Sequence, residues 1–188
     1  AALRGYSGSV PLDVDAVRAA ADALRTAERP LLFGGGGVIL SDTAAYVREL
    51  LALTGMPAVS TLMGLGGVSA DTPGYTGMAG MHGTYASNMA IQDCDLLLAV
   101  GTRFSDRVTG AVAEFAPKAR IDPAEFNKNV RADIPVLGDL RESLPAFLDA
   151  LRPAAADVAS RMPAWQASVR TMEEKHPLGW KECAVIRP

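Results

Sequence analysis

The sequence predicts an α/β domain of three layers, in which helices cover both faces of a parallel β-sheet. Short runs of apolar residues, such as 31–33 and 96–100, have the length and composition of buried parallel strands. Segments with the apolar spacing of amphipathic helices alternate with these runs. Glycine-rich segments follow several of them directly. This arrangement is typical of sheets whose ligands bind at the carboxyl ends of the strands.

The first elements are defined by helix caps and a short strand. Asp13 is placed to cap a helix, and the apolar run 31–33 follows as the first buried strand. Ser41 or Asp42 is expected to cap the next helix, whose apolar residues repeat at helical spacing. Gly55 ends that helix, because glycine readily takes the left-handed conformation found after a helix.

The remaining elements contain the clearest strand of the chain. Residues 58–60 form a short strand, and residues 64–83 are predicted to be mostly loop because they are rich in glycine and include Pro73. A helix at 84–91 leads to the run DLLLAV at 95–100, which is the most distinct buried strand. The pattern is completed by a helix at 111–115, a short strand at 119–121 and a core helix at 140–151.

We predict one folded domain between two connecting segments. Residues 1–12 are expected to be an N-terminal linker and residues 13–152 the α/β domain. Residues 153–188 are expected to be a linker with one peripheral helix, because proline and alanine become frequent after residue 152. The chain has no initiator methionine and ends just after an apolar triplet, which predicts a piece of a longer chain.

Composition argues against several functional classes. The 188 residues are 49% hydrophobic and 21% charged, as in ordinary globular domains, and the net charge of −3 gives no basic field for nucleic acid or an anionic membrane. No apolar run approaches the roughly 18 residues that a membrane helix needs. Two distant cysteines, Cys94 and Cys183, predict neither a disulfide framework nor a metal site. We therefore expect a cytoplasmic protein, with Cys94 as a small core residue.

The candidate binding residues follow the predicted strands. A run of four glycines at 34–37 lets the backbone approach a flat ligand or a diphosphate closely, and its N–H groups can face an anion; a flexible turn is the alternative. Three further glycine-containing segments, 61–64, 80–83 and 101–103, follow strands or end the long loop. The candidates in these strand-end segments are Gly35, Gly36, Gly37, Thr61, Leu62, Met63, Gly80, Met81, His82, Gly101, Thr102 and Arg103.

Charged residues near two strand ends have both a binding and a structural interpretation. Arg103, Asp106 and Arg107 follow the buried strand 95–100, and an arginine fork suits a phosphate, although a surface ion pair would also account for them. Gly138 and Asp139 follow a short apolar segment, where the carboxylate would lie near a ribose or cap the next helix.

Catalytic motifs are missing from the sequence. We find no phosphate-binding lysine loop, no HExxH, no CxxC and no GxSxG. His82 lies between glycines with no carboxylate or nucleophile next to it, so stacking or hydrogen bonding is a better interpretation than general-base catalysis. We predict no catalytic residue and no metal ligand in this chain.

Several segments, taken in order, resemble one enzyme family. The segments PLLFGGGGV, STLMGLG, GMHGT, RFSDR and ADIPVLGD are similar to those of the central domain of the large chain of acetolactate synthase, also called acetohydroxyacid synthase. The order of STLMGLG, GMHGT and RFxDR is specific, whereas each motif alone is not. The resemblance covers residues 3–149 and extends weakly to 188.

The resemblance implies a Rossmann-like nucleotide-binding domain that holds FAD as a structural cofactor. The family's outer domains bind thiamine diphosphate and Mg²⁺, and the whole enzyme condenses two 2-ketoacids, pyruvate with pyruvate or 2-ketobutyrate, in branched-chain amino acid biosynthesis. It also implies N- and C-terminal domains in the same chain, a homo-oligomer and a small regulatory chain. The domain alone is expected to be inactive. Flavin contacts would fall on the twelve strand-end residues, on Asp106 and Arg107, and on Gly138 and Asp139.

Three departures from the family pattern affect the predicted contacts. The family tends to have an arginine before LPGY near the start, and here that phosphate contact would be lost or moved to Arg4. Ser105 replaces the first aspartate of the family's RFDDR motif. The family has several more residues near 119–123, which form a strand ending in an acidic residue that holds the adenosine half of FAD. In this chain Asp122 or Glu125 would take the place of that acid.

Three alternatives remain open from the sequence. The chain could be the central domain of another thiamine-diphosphate enzyme, such as a glyoxylate carboligase or a pyruvate oxidase. It could be a standalone NAD-binding module, which predicts NAD binding and a histidine with an orienting partner. It could also be a scaffold that has lost its cofactor.

Overall fold

A computed structural model describes residues 11–110, 114–117, 120–122 and 132–178. The strands are β1 (Pro30–Gly34), β2 (Ala58–Ser60), β3 (Tyr75–Met78), β4 (Leu96–Val100) and β5 (Arg120–Asp122). The helices are α1 (Val14–Thr26), α2 (Gly36–Leu40), α3 (Ala44–Thr54), α4 (Tyr85–Asp93), α5 (Asp106–Thr109), α6 (Leu140–Leu151) and α7 (Ala155–Lys175).

The five strands form one parallel sheet in the order β3-β2-β1-β4-β5. The chain builds outward from β1 to β3 and then returns to place β4 on the other side of β1. The strand order therefore reverses between β1 and β4, and a crevice at such a reversal is where open α/β sheets bind ligands. The predicted α/β class with a parallel sheet is confirmed.

The centre of the sheet is fully apolar. Every residue of β1 and of β4 is buried, as expected of strands that have helices packed over both faces. Helix α1 begins where the Asp13 carboxylate accepts a hydrogen bond from the Ala16 N–H at 2.9 Å, which confirms the predicted cap. Leu24 of α1 is completely buried against the same core.

One local expectation about the first half of the chain was wrong, and one strand was missed. Neither Ser41 nor Asp42 is the cap of α3, because the capping position is Thr43. The stretch 64–83 is mostly irregular, as predicted, but it contains the strand β3, which the sequence analysis did not predict and which pairs with β2. The glycine and proline content of this stretch gave no indication of the four-residue edge strand β3, because β3 forms through its pairing with β2 rather than through its own composition.

The short strand predicted at 119–121 is β5, which is shifted by one residue. Arg120 pairs with Leu96, and Asp122 pairs with Leu98. Strand β4 continues to Val100, so β5 ends two residues before its neighbour. At about 3.3 Å per residue, Asp122 lies roughly 6–7 Å below the carboxyl end of β4. The helix predicted at 111–115 lies largely outside the described residues.

Helix α7 packs into the core, whereas the sequence predicted a linker with a peripheral helix. Val158, Met162, Trp165 and Val169 are buried in the same apolar cluster as the sheet. The Trp165 indole N–H donates to the Pro30 carbonyl at the start of β1, at 2.9 Å. The domain boundaries themselves stay predictions, but α7 is a structural part of this fold.

Among the helices of the described ranges, none is both long and apolar enough to cross a membrane.

Candidate functional site

The turn after β1 and the turn after β4 are held against each other by their backbones. The Gly35 N–H donates to the Val100 carbonyl at 2.8 Å, and the Gly37 N–H donates to the Gly101 carbonyl at 3.0 Å. A Cβ on Gly37 would lie 2.7 Å from the Gly101 Cα. The glycines are therefore required by contact between two backbones. The expectation that the N–H groups of this run face an anion was wrong for Gly35 and Gly37.

The turn after β2 joins the same rim and presents apolar side chains to solvent. The Thr61 N–H donates to the Gly34 carbonyl at 2.9 Å, and its hydroxyl accepts from the Gly64 N–H at 3.1 Å. Leu62 and Met63 are 64% and 74% exposed. Met63 lies directly beside Gly36, where an added Cβ would be 3.0 Å from the Met63 Cβ. The structure thus brings the first two predicted groups together.

The loop after β3 carries Gly80, Met81 and His82. Gly80 has a φ of 108°, and a Cβ there would lie 2.8 Å from the Arg107 carbonyl oxygen, so only glycine fits. The Met81 N–H donates to that same carbonyl at 3.1 Å, which ties this loop to α5. Met81 is 75% exposed and His82 is exposed, so both side chains are available to a ligand.

The segment after β4 alternates buried and exposed side chains. Phe104 is buried against Phe33 and Phe115, with ring centroids 5.9 Å and 5.8 Å away. Its φ of 45° lies in the left-handed region, which is uncommon for an aromatic residue and accompanies functional loops. Arg103 and Arg107 on either side of it are exposed. The aromatic anchor therefore fixes a loop that presents two arginines.

Two other predicted site residues follow β4, Asp106 and Thr102. Asp106 begins α5, but its side chain lies outside the described atoms. Thr102 is only 1% exposed, and its hydroxyl has no hydrogen-bond partner in the part of the chain that the structure describes. Ser60, at the end of β2, also has a buried hydroxyl without a hydrogen-bond partner among the described residues. Both hydroxyls lie at carboxyl ends of the central strands.

Replacing Thr102 with valine is expected to raise the free energy of unfolding by about 1 kcal/mol, because an unpaired buried hydroxyl is exchanged for a methyl group of the same shape. Thr102→Ser, which keeps the hydroxyl and loses the methyl group, should lower it by about 1 kcal/mol. Urea denaturation of the two variants and the parent chain measures both changes. A loss of stability in Thr102→Val would mean that the hydroxyl is hydrogen-bonded in solution.

Two of the acidic candidates, Asp122 and Asp139, lie in the part of the chain that the structure describes. Asp122 ends β5 below the rim, and Glu125 lies outside the described residues. The Asp139 carboxylate caps α6 by accepting from the Arg141 N–H at 2.9 Å, and it also pairs with the Arg141 guanidinium at 2.6 Å. The hydrogen bonds from Arg141 lower the pKa of Asp139 to about 2. The structural alternative for Asp139, a helix cap, is therefore realised.

A shallow, open cleft with an enclosed volume of about 40 Å³ lies beside Gly138. Val17 of α1, Val100 of β4 and Phe147 of α6 form apolar walls, and Ser143 contributes a hydroxyl group. Ligand pockets in proteins have volumes of roughly 300–1,000 Å³, so this cleft is too small to enclose a ring system. Its lining includes both Val100, at the end of β4, and Gly138. Only the family resemblance had placed these two parts of the sequence in one site.

Cys94 is a structural residue of the core. Cys94 is completely buried, and burial is the main cause that raises the pKa of its thiol to about 12. This confirms Cys94 as a core residue with an unreactive thiol. Within the described residues, no group of three His, Cys, Asp or Glu side chains is arranged to hold a metal ion.

Sequence reasoning missed Ser60, Asn88 and the cleft. Asn88 of α4 makes two hydrogen bonds with Gly80. An asparagine inside a predicted helix just after GMHGT is unusual and could have marked Asn88 as a candidate residue. The cleft had no signal, because its walls come from residues far apart in the chain. The site as a whole offers a rim of hydrogen-bonded loops with exposed apolar and arginine side chains, and the candidate side chains that the structure describes include no nucleophile paired with a base.

Comparison with known proteins gives a family match for most of the domain. Residues 17–147 match the family described as "Thiamine pyrophosphate enzyme, central domain". This range includes all five strands and every candidate site residue.

Three curated relatives of the chain carry the name acetolactate synthase. The chain is 52% identical over 136 residues to the acetolactate synthase isozyme 2 large subunit of Escherichia coli, covering 70% of this chain and 25% of that protein. It is 47% identical over 140 residues to a probable acetolactate synthase large subunit of Methanocaldococcus jannaschii, covering 72% and 24%. It is 39% identical over 187 residues to acetolactate synthase of Mycobacterium avium, covering 95% and 30%. The chain spans less than a third of the length of these relatives.

Proposed function

Because the chain belongs to the family of thiamine pyrophosphate enzyme central domains, we propose that it is the FAD-binding central domain of an acetolactate synthase large subunit. The observation that carries this proposal is the 52% identity to a protein of that name, spread over most of the domain. The predicted motifs GMHGT and RFSDR fall on two loops that contact each other, since the Met81 N–H bonds the Arg107 carbonyl. The same motifs were the sequence basis for the family resemblance.

The rim at the ends of β1, β2, β3 and β4 supports a flat cofactor. Leu62, Met63 and Met81 present apolar surface to solvent, as is needed to contact an extended ring system. Arg103 and Arg107 are exposed on the adjoining segment, and arginine suits the diphosphate of a dinucleotide. Backbone hydrogen bonds between the loops hold these segments next to one another.

The adenosine half fits the described residues less closely. The backbone of Asp122 pairs with Leu98, two residues before the end of β4, whereas the acid that usually holds a ribose follows the end of a strand. The cleft beside Gly138 opens at the end of β4, but its enclosed volume of about 40 Å³ is too small for a ring. We therefore assign the flavin half to the loop rim.

The reaction itself belongs to the whole enzyme. In this proposal the neighbouring domains hold thiamine diphosphate and Mg²⁺, and the complete chain condenses two 2-ketoacids in the cytoplasm as a homo-oligomer with a small regulatory chain. This domain contributes FAD as a structural group that stiffens the loops at 61–67, 78–84 and 101–109. Ile39, Leu40 and Leu65, which are exposed near that rim, suit contact with those neighbouring domains.

Titration of the purified chain with FAD tests the cofactor assignment. We expect saturable quenching of flavin fluorescence and a higher melting temperature with FAD, and neither effect with NAD. Arg103→Ala should weaken FAD binding by roughly 10-fold to 100-fold, the range for a hydrogen bond to a charged group. Arg48→Ala, which removes an exposed arginine on α3, should leave the affinity unchanged.

The other outcomes separate the alternatives. Binding of NAD alone would overturn the proposal in favour of an NAD-binding module. Binding of neither dinucleotide would mean that this chain is a scaffold without a working cofactor site.

A further inference from the structure

Asn88 holds the backbone of Gly80 through both of its polar atoms. The Gly80 N–H donates to the Asn88 Oδ1 at 2.8 Å, and the Asn88 Nδ2 donates to the Gly80 carbonyl at 3.0 Å. One side-chain amide therefore satisfies both the donor and the acceptor of a single residue. Rotation of the Gly80 peptide groups would break one or both hydrogen bonds.

The position of Asn88 is unfavourable for its own helix. Asparagine is a weaker helix former than alanine, because its side chain competes for backbone hydrogen bonds. Asn88 lies inside α4, whose buried residues are Ala86, Ser87, Ala90 and Ile91. Asn88 itself is only half-buried. Neither helix stability nor core packing accounts for it, whereas the two hydrogen bonds to Gly80 do.

The held residue begins the loop that presents Met81 and His82. Gly80 has a φ of 108°, a conformation that glycine adopts readily but that needs contacts to select it from others. Its carbonyl also accepts from the Gly83 N–H at 2.9 Å, and the next residue, Met81, bonds the Arg107 carbonyl. The loop is thus fixed at one end by α4 and on one side by α5.

We infer that Asn88 is the positioning residue of the 80–83 loop, setting the direction in which Met81 and His82 face a bound dinucleotide. Asn88 does not touch the ligand itself. The inference rests on the proposed function for the identity of the dinucleotide, FAD, but the positioning of the loop is independent of it.

Amide hydrogen exchange followed by NMR, in the parent chain and Asn88→Ala, tests the positioning. The Gly80 amide loses its partner directly, so its faster exchange decides nothing. The Met81 and Gly83 amides bond other acceptors, Arg107 and Gly80, and should exchange roughly fivefold to tenfold faster only if Asn88 holds the whole loop. The amides of β1 and β4 should keep their exchange rates, because alanine is a better helix former than asparagine and the substitution therefore leaves α4 and the sheet folded.

Two variants keep the test sharp. Asn88→Asp retains an acceptor for the Gly80 N–H but faces the Gly80 carbonyl with a carboxylate, so it should also speed Met81 and Gly83 exchange, even if Asn88→Ala fails to fold. Gln92→Ala removes another amide one turn further along α4 and should leave the loop unchanged. Unchanged Met81 and Gly83 rates in the Asn88 variants would overturn the inference.

Flavin titration of the same variants separates this inference from the proposed function. Asn88→Ala should weaken FAD binding roughly fivefold to tenfold through the disordered loop, while Gln92→Ala binds like the parent chain. If the parent chain binds no FAD, the proposed function fails and the exchange data still decide the role of Asn88. If it binds FAD and Asn88→Ala binds equally well, the positioning role fails and the proposed function stands.

Discussion

Gly35→Ala is expected to lower the free energy of unfolding by about 3 kcal/mol, the upper part of the range for added volume in a packed site. The new Cβ would collide with the Gly101 carbonyl oxygen and lie 2.6 Å from the Thr102 Cα. Both obstacles are backbone, so they cannot rotate away as a side chain does. Relief requires that β1 and β4 move apart at the reversal of strand order, which would also disturb the proposed flavin rim. Urea denaturation measures the loss of stability.

The adjoining glycine provides a matched control. A Cβ on Gly34 would have its nearest neighbours, the Leu32 Cδ2 and the Ser60 Oγ, at 3.8 Å, which is ordinary contact. Gly34→Ala should therefore change the free energy of unfolding by less than about 1 kcal/mol, in the stabilising direction, because alanine restricts the unfolded chain. Equal effects of the two substitutions would contradict the close approach of the β1 and β4 turns.

Trp165→Ala is expected to lower the free energy of unfolding by about 4 kcal/mol. Trp165 is 3% exposed in the middle of α7, and its indole N–H bonds the Pro30 carbonyl at the start of β1. The substitution removes a large buried ring and leaves that carbonyl without its partner. Chemical denaturation followed by far-ultraviolet circular dichroism measures the change for the whole domain.

Two further variants isolate the causes of this loss. Trp165→Phe keeps an aromatic ring and removes the N–H donor, so it should cost less than Trp165→Ala, about 1–2 kcal/mol. Ser168→Ala alters an exposed position on the same helix and should stay within about 0.5 kcal/mol of the parent chain. If Trp165→Ala melts α7 alone and leaves the sheet intact, the helix is an independent appendage, as the sequence first indicated.

Local pattern was sufficient for the elements that depend on local interactions. The apolar run 95–100 predicted β4 because a fully buried strand needs no polar alternation. Asp13 predicted the start of α1, since a capping carboxylate bonds an N–H three residues away. Strand β3 was missed because Tyr75–Met78 contains glycine and gains its hydrogen bonds from β2, a partner that composition does not identify.

Family resemblance extended the sequence analysis from elements to a site. It grouped the segments around Gly35, Thr61, Gly80 and Gly101, and the structure brings these four turns into one rim. It also included Asp139, whose carboxylate is engaged by Arg141 and the start of α6. A carboxylate after a strand is equally suited to a ribose and to a helix cap, and only its neighbours in space decide between them.

The sequence by itself determined the α/β class, the central strands, the core helix α6 and the positions of glycine at the strand ends. Tertiary structure alone decided why Gly35 and Gly37 must be glycine, since the reason is the backbone of Gly101, and why α7 belongs to the core, since the reason is the carbonyl of Pro30. Periodicity and capping act within a few residues and can be read along the chain. Close approach of two backbones and burial against a distant strand depend on partners that are neighbours only after the sheet has formed.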